Sequence, residues 1–244
     1  QNIHCSYIKL IYIINNLIDN LNNTGYSIKA EDYTKELLTL NNDSITYLCN
    51  LGIIEMSSGN FENAQKLFLK AHNIDSTNTG PINLLMYTSV WQRKYSEAFY
   101  YLQKQEKVLK ASQTESQTDL ANGFIYLKNG YNKEANIEFK KAVDYFLEQI
   151  EYNTGTAQRY YTHAYLAGIY SELNEKEKAI FYLKMFKERK TVSRLWVLVL
   201  KEYPVYDNIR NEPEFQEVLA DAEAKYQKEH ERVGKLLREL GEIE

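Results

Sequence analysis

A chain of 244 residues, 44% of them hydrophobic, is long enough to bury a core, as one large domain or two small ones, and too apolar to be disordered. Its net charge of -4, with acids and bases interspersed, argues against a direct nucleic-acid binder and against a membrane-surface protein. Two cysteines, Cys5 and Cys49, are too few for a disulfide framework and are expected as buried thiols rather than a redox pair.

Only 3 prolines and 10 glycines punctuate the chain, so long helices with short connections are expected. The first apolar stretch, Tyr7 to Ile18, is broken by Lys9, Asn15 and Asn16. It is too short to span a bilayer and lacks signal-peptide flanks, which favours a cytoplasmic protein. The sequence starts at Gln1 rather than Met, as expected for a piece of a longer protein. Asn22-Asn23-Thr24 and Asn42-Asp43-Ser44 fit the glycosylation pattern but carry little weight in so Asn-rich a chain.

From there the chain resembles itself. Ala30 sits in GYSIKAEDYTKELL and Ala64 in GNFENAQKLFLKA, 34 residues on; Ala98 in RKYSEAFYYLQKQ follows after another 34. Ala135 in NGYNKEANIEFKKA comes 37 residues later, and Ala179 in NEKEKAIFYLKMF a further 44. Five helix pairs are predicted. The second is the best formed, with Leu51-Gly52, Gly59, Phe61, Ala64, Phe68 and Ala71. The fourth has Gly123, Tyr126, Gly130, Ala135, Phe139 and Ala142, and the fifth Leu166, Tyr170, Ala179 and Leu183. The third is degenerate, with Met86 at the packing glycine and Gln105 at the last alanine.

Small residues let antiparallel helices approach, so Gly52 is expected to face Ala64, with Phe61, Phe68, Leu102 and Phe139 filling the wedges between helices. These residues resemble the tetratricopeptide repeat. That resemblance implies an all-α, right-handed superhelical solenoid of about five helix pairs over 1–190, with a carboxyl-terminal cap or extension over 191–244. Polar connections are expected at Lys110 to Asp119 and Glu151 to Arg159, the second after a helix from about Asn132 to Gln149.

Beyond Arg189, Ser193 to Tyr203 is ambiguous between strand and helix by periodicity; the helical surroundings favour a short buried helix ended by Pro204. A last helix is expected from an N-cap at Asn211 to about Leu240. Phe215, Val218, Leu219 and Ala222 would close the solenoid, while Tyr226, Val233, Leu236, Leu237 and Leu240 continue the stripe near heptad spacing. That helix either caps the array or projects as a homodimer arm. The run YPVYDNIRNEPEFQ, Tyr203 to Gln216, is similar to the carboxyl-terminal region of bacterial multidomain regulators, and EAKYQKEHERV, Glu223 to Val233, to their Bacteroidetes members. In those, the array follows an adenylate-cyclase-like or winged-helix domain.

No catalytic motif emerges. His4, His72, His163 and His230 form no close ligand set; His230 is expected solvated and His163 packed among tyrosines. The chain reads as non-enzymatic, with no metal and no cofactor. The resemblance instead places contact residues on the concave face: Cys49, Ile53 and Met56; Asn83, Tyr87 and Trp91; Leu120, Phe124 and Lys128; Tyr161, Ala164 and Glu172. A carboxylate clamp is not expected; an apolar peptide, a protein partner or an upstream domain of the same protein fits better. Two readings stand, a binding module acting through the concave face and a dimerisation domain acting through the last helix.

Overall fold

The computed structural model describes residues 2–113, 120–152 and 162–244, and the side chains from residue 7 onward. The expected polar connections and Tyr161 fall wholly or largely outside the described residues. Within them every regular element is helical. Five antiparallel pairs follow one another: α1 (Asn2–Asn23) with α2 (Ser27–Asn41), α3 (Ser44–Ser57) with α4 (Phe61–Ile74), and α5 (Thr79–Trp91) with α6 (Tyr95–Ala111). Then come α7 (Leu120–Lys128) with α8 (Asn132–Glu151), and α9 (Thr162–Glu172) with α10 (Lys176–Phe186).

One turn is built five times. The N–H groups of Tyr26, Asn60, Lys94, Tyr131 and Glu175 each donate to a carbonyl five residues back, at 2.8–3.0 Å. The residue before each donor is left-handed: Gly25, Gly59, Arg93, Gly130 and Asn174, with φ of 89°, 83°, 58°, 83° and 58°. This is the six-to-one closure that satisfies orphan carbonyls at a helix end. Four residues after each donor stands the repeat alanine, its own N–H bonded back across the new helix: Ala30, Ala64, Ala98, Ala135 and Ala179, all at most 1% exposed.

The packing glycines have a different partner from the one expected. A Cβ on Gly52 would lie 2.2 Å from Phe68 Cε1, and one on Gly123 would lie 2.5 Å from Phe139 Cδ1. The aromatic ring, not the alanine, is what each glycine admits. At the same two register positions the third pair carries Met86 and Leu102, the fifth Ala167 and Leu183, and all four are buried. The third pair is therefore a trade of volume between two facing positions rather than a decayed copy.

After the fifth pair come α11 (Arg194–Glu202), a 3₁₀ turn at Pro204–Tyr206 and α12 (Pro213–Glu239). The ambiguous stretch is a helix, with Ser193 at its N-cap position. The N-cap of α12 is Glu212 rather than Asn211, because Pro213 takes the first helical position, where its missing N–H costs nothing. At 27 residues α12 is about 40 Å long. Its first half seals the array: Phe215, Val218 and Ala222 are at most 1% exposed and join the main core.

The second half neither stops there nor projects. It crosses to the first pair, where Leu237 clusters with Ile14, Ile18, Leu21, Ala30, Leu37 and Ile54. Tyr26 donates its hydroxyl to the His230 carbonyl at 2.8 Å and stacks on the imidazole at 4.7 Å between centroids. His230 Nδ1 bonds the Thr24 carbonyl at 2.7 Å, so it is not solvated as the sequence suggests. Lys29 pairs with Glu242 at 3.0 Å. The last helix thus ties the first pair to the last.

Candidate functional site

The face expected to be concave is covered in part by the chain's own α11. Helix α11 contacts α3, and Arg194 donates to the Ser27 hydroxyl at 2.9 Å at the start of α2. Trp196 meets Tyr165 of α9, and Tyr203 tilts against Trp91 at the end of α5, which itself stacks on Phe61. Trp196, Leu200, Tyr203 and Tyr206 are each at most 8% exposed. Burying side chains of this size stabilises by about 1.5–3 kcal/mol each. Four of them together rival the whole stability of a domain, ~5–15 kcal/mol. Helix α11 is fixed structure and no exchangeable guest.

The run after α11 explains itself as a clasp. Tyr206 donates to the Ala164 carbonyl at 2.8 Å and packs on Phe215, and Asn208 donates to the Ser171 carbonyl at 3.1 Å. Asp207 pairs with Arg93, at 2.5 Å, and with Arg210; these guanidinium partners outweigh its partial burial and hold its carboxyl below the usual range. Arg210 also caps the Leu200 and Tyr203 carbonyls at the end of α11. These are fastenings between repeats, and they account for the residue types in that run.

Among the expected contact residues, Phe124 is fully buried and Leu120 and Trp91 nearly so, so these three are core rather than open surface. Met56 is buried as well. Glu172 and Lys128 come together at 3.1 Å across the fourth and fifth pairs, with Lys128 Nζ 4.8 Å from the Phe124 ring centre. Burial pushes the Glu172 carboxyl up, against the pull of Lys128. Cys49, Ile53, Asn83 and Tyr87 remain half-buried along α3 and α5 and, with the exposed Lys128, are the accessible remainder of the set. Burial, aided by Asp43, pushes the Cys49 thiol up to about 11, which leaves it a poor nucleophile.

The last helix divides the other set. Tyr226, Val233 and Leu237 pack on their own chain, whereas Leu236 and Leu240 are 45% and 65% exposed. A continuous heptad stripe is therefore not free on this helix. His163 stacks on Tyr182 at 6.5 Å, and His72 accepts from Lys104 Nζ at 2.6 Å; both are packing contacts. No cluster of His, Cys, Asp and Glu with metal-binding geometry occurs among the described residues, and no helix among them is long and apolar enough to cross a membrane.

One cavity survives where α11 lies over the concave helices. It measures about 270 Å³ and is partly open to solvent. Met56, Tyr87, Trp91, Leu120, Ala121 and Tyr165 form its array wall, and Leu195, Trp196, Val199, Tyr203 and Tyr206 the opposite one. Sequence reasoning named Met56, Tyr87, Trp91 and Leu120 of the array wall, but neither Ala121 and Tyr165 nor the second wall. The only signal for it was the apolar density of Ser193 to Tyr203.

Residues 45–78, which hold Gly52, Gly59, Ala64 and Ala71, match the family model described as Tetratricopeptide repeat. No curated protein matches the chain. Such repeats generally mediate protein–protein interaction and are typically non-catalytic. The chain carries a tetratricopeptide repeat at these residues and folds as an all-α, tetratricopeptide-like solenoid.

Proposed function

We propose that this chain is a non-enzymatic interaction module of a larger bacterial signalling or transcriptional regulator, cytoplasmic and of the adenylate-cyclase-like or winged-helix type. Its partner is an apolar peptide segment or a neighbouring domain of the same protein. The observation that supports a contact site is the half-buried strip of Cys49, Ile53, Asn83 and Tyr87, which lies on the concave helices α3 and α5. Because α11 fills the groove, the partner meets this strip from the side rather than threading the solenoid.

The test is a photo-crosslinker. A benzophenone amino acid replacing Asn83 in the full-length regulator should crosslink to one defined segment, and the same group replacing the exposed Lys140 should not. Equal crosslinking from both positions, or none from Asn83, overturns the concave contact. Of the expected dimer residues, only Leu236 on α12 and Leu240 just beyond it are exposed. Replacing both with Lys should leave the sedimentation coefficient unchanged; a loss of mass on that change would restore the dimer.

A further inference from the structure

The cavity under α11 is more than slack packing. Protein interiors are close-packed, with few voids larger than a water molecule. Here about 270 Å³ stays open between α11 and the array, lined by residues of the main core and others packed against it. Its lining contains no charged residue and six aromatic ones, Tyr87, Trp91, Tyr165, Trp196, Tyr203 and Tyr206. Aromatic side chains on both walls suit an aromatic guest, because aromatic rings attract one another in offset-stacked or edge-to-face contact. The absence of a cation or anion from the lining makes a charged guest costly to desolvate. A half-enclosed apolar hollow of this kind is the usual form of a small-molecule site.

We propose that this cavity is a binding site for an uncharged, largely flat aromatic small molecule of about twelve to seventeen non-hydrogen atoms, a size set by a volume just below the usual range of ligand pockets. The site is distinct from the proposed partner strip except at Tyr87, which belongs to both. Its ligand touches the array through Trp91 and the α11 segment through Trp196, so it bridges two parts of the fold that sequence places far apart. Binding to the folded chain raises the unfolding midpoint by mass action.

The chain supplies its own reporter, because its 2 tryptophans, Trp91 and Trp196, both line the cavity. Titration with the uncharged fluorophore N-phenyl-1-naphthylamine should quench tryptophan emission with saturable, one-to-one sensitised emission from the probe. In the unmodified protein, both indole N–H resonances should shift during the titration. Val199→Phe, which fills the cavity from the half-buried α11 side, and Ala121→Leu, which fills it from the array, should each weaken binding at least tenfold while helicity is retained. The anionic 8-anilinonaphthalene-1-sulfonate should bind at least tenfold more weakly than the neutral probe. Unsaturable binding, unmoved indole resonances, or full affinity in a folded filled variant overturns the site. Equal affinity for the anionic probe overturns the ligand class. If one variant does not fold, the other and the indole shifts decide.

Discussion

The repeat is enforced by single residues, each for its own reason, and those reasons separate experimentally. Gly130 is left-handed at φ 83° with open space where a Cβ would go, so Gly130→Ala measures backbone strain alone, about 1–2 kcal/mol. Gly123→Ala instead drives a methyl into the Phe139 ring, an overpacking cost of about 1–3 kcal/mol. Adding Phe139→Leu should rescue Gly123→Ala, since the pair then copies Ala167 and Leu183, and should do nothing for Gly130→Ala. Thermal midpoints of the five proteins check this; rescue of both variants would mean the two glycines share one role. His72 offers a pH test. Burial first, then Lys104, hold its pKa below the ordinary 6.5. The unfolded chain therefore takes the proton first, so the stability from neutral His72 is complete above about pH 6.5 and is lost as pH falls further. His163, lowered by burial and by Arg189, acts in the same direction, while Glu172 and Asp19, raised by burial, act oppositely. The clean readout is a difference: the midpoint advantage of the wild type over His72→Gln should shrink between pH 7 and pH 5. A constant advantage would exclude titration of His72.

At the scale of elements, α12 divides into a sealing half and a crossing half, and the crossing half is held by the closer-fitting contact. Gly234 lies under the Tyr26 hydroxyl, where a Cβ would come within 2.1 Å. Gly234→Val should therefore lift the second half of α12 from the first pair. Amide exchange should speed up across 226–240 and across α1 and α2, while α5 and α6 keep their protection. Uniform loss of protection would show instead that the helix cannot move without general unfolding. The five pairs and their turns were legible in the sequence because a left-handed turn and a glycine beneath a ring are local demands that write residue types at fixed offsets. The positions of α11 and α12 were not. Tyr203 against Trp91, or His230 against Thr24, joins residues more than a hundred positions apart, and no periodicity encodes which apolar stripe covers which face. Trp91 and Phe124 looked like groove residues for that reason: the family pattern says which way they point, and only the tertiary structure says that Tyr203 and Tyr95 lie upon them.

At the scale of the molecule, an open repeat array unfolds as a sum of neighbour-to-neighbour terms, so an end pair can fray alone. Here Leu237, Tyr26 and Lys29 join α12 to the first pair while Phe215 and Val218 join it to the core around the last. The full chain should therefore melt in one cooperative transition. Cutting after Ala222 should split that transition in two, with the first pair lost before the remainder. A single transition in the shortened chain would mean that α12 adds stability without coupling the ends. Closure has a further consequence, which is mechanical. A superhelix of stacked pairs is a spring, compliant along its axis because small rotations at every joint add up. A tie-bar about 40 Å long, anchored at both ends, removes that compliance. The coil becomes a bracket, and whatever is attached to its first and last helix pairs is held at a fixed separation.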